Sequence, residues 1–178
     1  MKLLHLMFCL MVALGLAACE GTEAPRHYYY SGPALEGFHM YDSFNVDSEL
    51  EPFTQLALDP YEYGGWFDLF WYVDSFWDYT VVVGVNDRPS MNGATVVAAN
   101  FCGEDLPCDA LGTYQCRYTD EFYIGCGFSE IEARANLTSI SHLLNPSREL
   151  PQRVYFVLEV CDTDGAGCEY QPLPVWLY

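Results

Sequence analysis

The groups in this chain that could do chemistry are thiols, carboxylates and indoles. Of eight cysteines, six fall in the second half of the chain: Cys102, Cys108, Cys116, Cys126, Cys161 and Cys168. In an exported chain an even set of this kind reads as disulfides. Sequence alone leaves every pairing open in principle. The spacing suggests three local bridges, Cys102 with Cys108, Cys116 with Cys126 and Cys161 with Cys168. Each would close a short loop and contribute about 2 to 3 kcal/mol by restricting the unfolded chain. No Cys-x-x-Cys occurs and no histidine lies at ligand spacing among these thiols, which argues against zinc or redox chemistry.

Oxygen ligands cluster once, in Asp162-Thr163-Asp164-Gly165 with Glu169, a set that could suit a hard cation such as calcium. Gly165 arrives too early for a calcium loop of the helix-loop-helix type. A hairpin tip, with Asp-Gly supplying positive φ, accounts for the same residues. Hydrolysis would need a nucleophile, a base and an orienting acid. Gly-x-Ser-x-Gly, Ser-x-x-Lys and His-Glu-x-x-His are all absent. The histidines His27, His39 and His142 fall on a linker, near the first loop and on a candidate strand. Asp74 and Asp78 could in principle serve glycoside chemistry, but among 25 acidic residues chance proximity explains them. No catalytic residue and no cofactor is assigned, and a noncatalytic protein is expected.

Four tryptophans remain: Trp66, Trp71, Trp77 and Trp176. Flat aromatic faces stack on sugar rings and anchor protein partners. Trp71 alternates with apolar neighbours and is expected inside. Trp66 and Trp77, beside turns and acids, are the ligand candidates, for either a glycan or a protein. Asn136-Leu137-Thr138 has the form of a glycosylation acceptor, but it falls inside a candidate strand.

The N-terminus carries the most specific motif. Lys2 precedes an apolar run from Leu3 to Leu16, and Leu16-Ala17-Ala18-Cys19 closes it. This resembles a bacterial lipoprotein signal peptide over residues 1–18. The resemblance implies cleavage before Cys19, a lipid thioether on its sulfur, and acylation of the new amine by chains such as palmitate. Each buried methylene is worth about 0.8 kcal/mol, and two or more chains hold stably. The expected membrane contact is therefore a lipid anchor. The run is shorter than the roughly 20 apolar residues of a spanning helix. Glu20 rather than Asp follows the cysteine, which by analogy with enteric sorting favours the outer over the inner membrane.

Composition agrees with an exported, folded cargo. The formal charge is −18, Lys2 is the sole lysine, and so acidic a surface repels phosphate backbones and excludes nucleic acid. With 51% hydrophobic and 16% aromatic residues, the chain is too apolar for disorder. The acids coat a folded body, leaving capture of cations or cationic partners as the alternative reading of that charge.

The elements that must position these groups are strands. Residues 19–37, rich in Gly, Pro and polar residues around Tyr28-Tyr29-Tyr30, read as a tether, and 38–178 as one domain. Apolar runs bounded by turn residues predict strands over Phe53–Leu58, Trp66–Val73, Tyr79–Val85, Ala94–Phe101, Thr113–Tyr118, Phe122–Phe128, Ile131–Ile140, Val154–Cys161 and Glu169–Leu177. Phe67, Leu69, Trp71 and Val73 share one face, and Asp68, Phe70, Tyr72 and Asp74 the other. The stretch from Val154 to Asp162, followed by Asp164-Gly165 and a last apolar strand, resembles the closing hairpin of immunoglobulin-like domains of the fibronectin type III and PKD kinds, with Tyr155 at the position of the tyrosine corner. The implied fold is an all-β, immunoglobulin-like antiparallel sandwich of about seven to nine strands with local disulfides. Architecture alone implies no activity.

Overall fold

The structure, a computed structural model, describes residues 32–41, 56–75, 77–165 and 167–178. The signal-like run, Cys19, His27, Tyr28 to Tyr30 and the start of the strand expected over Phe53–Leu58 lie outside the described residues. Ten strands are found among them: β1 (Ala34–Tyr41), β2 (Ala57–Leu58), β3 (Trp66–Asp74), β4 (Tyr79–Asn86), β5 (Thr95–Cys102), β6 (Leu111–Tyr118), β7 (Tyr123–Gly127), β8 (Thr138–Ser139), β9 (Gln152–Asp162) and β10 (Glu169–Leu177). One helix, α1, covers Glu130–Ala135.

The strands form two sheets, ordered β1-β3-β6-β7-β8 and β2-β10-β9-β4-β5. The two-residue pairing of β2 with β10 is parallel; the long strands pair antiparallel. Successive strands β3 and β4 lie in different sheets, as do β5 and β6, the crossing connectivity of an immunoglobulin-like sandwich. The inner layer follows the two-residue period: Phe67, Leu69, Trp71 and Val73 of β3 meet Val81, Val83 and Val85 of β4 and Val154, Phe156, Leu158 and Val160 of β9, all buried. Phe67 and Phe156 touch edge to face across the layers, centroids 5.5 Å apart.

All three local disulfides are present: Cys102–Cys108, Cys116–Cys126 and Cys161–Cys168. The second ties β6 to β7 at directly opposed residues.

Three sequence expectations need correction. β1 opens at Ala34, inside the stretch assigned to the tether, because a register shift between Leu35 and Gly37 breaks the alternation that would have revealed it. Ile131–Ile140 is not one strand but most of α1 and the short β8, and the 3-10 turn that follows at Ser141–Leu143 carries His142. The reason is a cap: Ser129 Oγ accepts from the Glu132 N–H at 3.3 Å, and the Glu132 carboxylate accepts from the Phe128 N–H at 2.7 Å, a variant of the Ser-x-x-Glu box. The helix lies so close on β7 that a Cβ at Gly125 would overlap the Ala133 carbonyl and one at Gly127 the Glu132 side chain. Finally, Tyr155 makes no corner bond to the loop before it; its ring lies under Arg153, whose Cζ is 5.3 Å from the centroid.

Trp71 is the largest wholly buried side chain. It packs on Tyr114 at 4.7 Å, and its indole occupies the space where any Cβ at Gly112, its cross-strand partner, would lie. Overpacking of this kind typically costs 1 to 3 kcal/mol. Gly112→Ala should therefore lower the free energy of unfolding by about 3 kcal/mol, read as a reduced denaturant midpoint, whereas alanine at exposed Thr113 should shift it by less than about 0.5 kcal/mol.

Candidate functional site

A hollow of about 650 Å³ opens at one end of the sandwich. Three segments build it. The β3–β4 turn supplies Ser75, Trp77 and Asp78, the loop closed by Cys102–Cys108 supplies Glu104, and the β9–β10 tip closed by Cys161–Cys168 supplies Thr163. Asp109 and buried Tyr79 complete the wall. Two of the three disulfides thus hold loops that line one site.

Local hydrogen bonds present Trp77. Ser75 Oγ donates to the Trp77 carbonyl at 2.7 Å and accepts from its N–H at 3.3 Å, which turns the chain and leaves the indole 69% exposed. The Tyr79 hydroxyl donates to the Asp109 carbonyl at 2.5 Å, and burial raises its pKa, so it stays neutral. Asp78, Glu104 and Asp109 have no cationic partner: the ion pairs among the described residues are Arg88–Asp87 and Arg134–Glu130. Ser75 and Thr163 are the hydroxyls here, and no imidazole lines the hollow. The arrangement can stack a flat ligand and accept hydrogen bonds from it; the Ser75 hydroxyl is engaged with the Trp77 backbone.

Trp66 and Trp77 do not act together. They stand at opposite ends of β3, whose nine residues span about 26 Å. Trp66 is moreover covered by guanidinium groups, with Arg134 Cζ 5.0 Å and Arg117 Cζ 5.8 Å from its ring. The Asp74 and Asp78 carboxylates also part: Asp74 ends the outer face of β3, while Asp78 lines the hollow.

The other candidates serve the backbone. The Glu169 carboxylate accepts from the Leu35 N–H at 2.8 Å and ties β10 to β1. The Asp162 carbonyl accepts from the Gly165 N–H at 2.8 Å and closes the hairpin turn. The described residues contain no group of three or more His, Cys, Asp or Glu placed to hold a metal. Asn136 caps α1, its amide donating to the Cys126 carbonyl at 2.8 Å. His142 Nε2 lies 3.1 Å from Thr95 Oγ1 beside a shallow hollow of about 530 Å³, and the adjacent Ser141 hydroxyl is bonded to Ser139 rather than to the imidazole.

A second surface adjoins the hollow, on the outer face of the β1-β3-β6 sheet. Asp68, Phe70 and Tyr72 run along β3. Tyr41 and His39 of β1 lie opposite Asp68 and Phe70, and Gln115, Thr113 and Leu111 of β6 lie opposite Asp68, Phe70 and Tyr72. Tyr41 and Phe70 meet at 4.8 Å with perpendicular rings; Tyr41, Tyr72 and Leu111 are 39, 48 and 62% exposed. Desolvation among these rings raises the pKa of Asp68. The alternation that builds this face was readable in sequence. Glu104, Asp109 and Thr163 were not singled out, although the expected disulfides were the signal that their loops are held.

No protein-family model matches this chain, and no curated protein or solved structure matches it.

The direction of the Asp68 shift fixes a pH dependence. Its folded pKa lies above the unfolded value, so the charged form is disfavoured in the fold. This group therefore subtracts from stability above its raised pKa, and the loss disappears as pH falls through that pKa toward the unfolded value. Asp68→Asn should unfold at a higher denaturant concentration than the parent at pH 7. The two midpoints should converge below pH 4, in urea titrations at both values.

Proposed function

We propose that this chain is a cell-envelope lipoprotein, anchored through acylated Cys19 and facing the periplasm or the outside from the outer membrane. Its β-sandwich is a noncatalytic binding module. Three features support the anchor: the Leu16-Ala17-Ala18-Cys19 motif, the disulfide-linked domain that only an oxidising compartment sustains, and an acid-coated surface.

The single observation that carries the binding reading is Trp77. An indole this exposed at the mouth of a hollow lined by three carboxylates contributes little to folding and much to a contact with a partner. The noncatalytic reading is supported by the Ser75 hydroxyl, which donates to the Trp77 carbonyl rather than to a carboxylate. The ligand accordingly makes stacking contacts and donates hydrogen bonds; it is not an anion.

The anchor has a direct measurement. Intact mass of the unreduced protein from bacterial envelopes should report a chain beginning at Cys19, carrying diacylglyceryl and a further acyl group, with three disulfides and no free thiol. Cys19→Ala should leave the precursor uncleaved and unacylated. A chain that begins at Met1, or that begins at residue 19 without lipid and is recovered in the soluble fraction, would refute the assignment.

A further inference from the structure

We propose that the outer face of the β1-β3-β6 sheet, from Tyr41 and Phe70 through Tyr72 and Leu111 to Trp77, is a binding track for a linear, uncharged glycan. The inference deepens the binding-module reading by naming its ligand class and does not depend on the lipid anchor.

A sugar ring is amphipathic: its C–H face needs a flat apolar surface, and its rim of hydroxyls needs both acceptors and donors. The track supplies both in alternation. Along β3 the outward residues are Asp68, Phe70, Tyr72 and Asp74, spaced about 7 Å apart by the pleat. The neighbouring strands, about 4.8 Å to either side, set donors beside the rings: His39 and Thr113 flank Phe70, and Gln115 flanks Asp68. Tyr72 lies opposite Gly37, so no β1 side chain stands at that position, and the His39 imidazole leans over it, its Nε2 3.1 Å from where a Cβ would be. Beyond Tyr72 and Asp74 the chain enters the β3–β4 turn, whose Ser75 and Trp77 line the hollow. The run from Asp68 to Asp74 alone spans about 20 Å, enough for an oligomer rather than a single ring.

The chemistry of the strip selects against other occupants. An uncharged protein surface closing over it would bury Asp68 and Asp74 without a counter-ion, a costly arrangement; a cationic one is the rival occupant that the test separates. An anionic polymer would meet a chain of charge −18, beside a strip where the Arg117 guanidinium of β6 is engaged with Trp66 and the Gly64 carbonyl. Hydroxyl groups are donors that the half-buried Asp68 and the exposed Asp74 carboxylates can accept from without charge neutralisation. Asp68 also bears the mark of a functional group, since it keeps a carboxylate where desolvation penalises one, and asparagine would serve the fold better.

The test is affinity electrophoresis of the full-length protein through gels containing neutral polymers of differing linkage (β-glucan, α-glucan, xylan and galactomannan), with polygalacturonate as the acidic control. At least one neutral polymer should retard the parent, and polygalacturonate should not. Tyr72→Ala should weaken retardation about tenfold, corresponding to roughly 1.4 kcal/mol, with Trp77→Ala and Asp68→Asn also weakening it. Tyr72→Phe, which keeps the ring, should retain binding and guards against a folding defect in the alanine variant. If none of the four neutral polymers retards the parent, or if Tyr72→Ala migrates like the parent, the glycan assignment is overturned. Isothermal titration with a Lys-rich peptide separates the two readings. Trp77-dependent binding of that peptide with no glycan retardation would overturn the ligand class and leave the binding module standing. Silence in both assays would overturn both.

Discussion

The seating of the Trp71 indole over Gly112 is the constraint from which the rest of the molecule follows. Strand side chains alternate with a period of two, so one buried residue sets the facing of the whole strand. With Trp71 turned inward against Tyr114, Phe67, Leu69 and Val73 enter the core, and Asp68, Phe70, Tyr72 and Asp74 are committed to the outside. The register of β6 is set by the same contact, because Gly112 alone of the β6 residues could lie opposite that indole. Core and candidate ligand surface are thus two faces of one packing decision. A slip by one residue would bury two carboxylates and expose the indole together.

Covalent ties do the corresponding work at the end of the sandwich. Asp78, Glu104 and Asp109 converge without a counter-ion in a chain of charge −18, and like charges brought together favour an open loop over a closed one. The Cys102–Cys108 and Cys161–Cys168 bridges remove much of the freedom that opening would gain. The Gly103 N–H to Cys108 carbonyl bond at 2.6 Å holds the first loop further. The acidic hollow persists because its loops are stapled, not because its charges are balanced.

How much of this was legible in the sequence depended on whether a physical signal was local. The bridges were, because separations of 6, 10 and 7 positions favour closure of local loops. The long strands were, through their two-residue alternation. Strand β1 was hidden because the irregularity at Leu35 to Gly37 interrupts the period. Helix α1 was readable but unread: Ser129 and Glu132 form the cap, yet the apolar spacing of Ile131, Leu137 and Ile140 also fits a strand. The separation of Trp66 from Trp77 was not legible for a different reason. Exposure beside turns was inferred for each singly, and neither the length of β3 between them nor the arginines that cover Trp66 can be read from neighbouring residues.

The two outer faces of the sandwich are built differently. On the β4–β9 sheet, Val157 is wholly buried although it points away from the core, and Gly84 beside it is covered by Met91 and Ala94 of the loop that follows β4. Around Gly84 that face is covered by the protein's own apolar groups, while Val96, Phe101 and Tyr170 elsewhere on it are exposed. On the other sheet α1 lies over β7, where Gly125 and Gly127 admit it, and reaches β6 and, through Arg134, Trp66 at the start of β3. The β1-β3-β6 portion keeps Tyr41, Tyr72 and Leu111 in solvent beside Asp68 and Gln115. Rings left open and interleaved with hydrogen-bonding groups have the two features that the proposed glycan contact needs, an apolar face and partners for a polar rim.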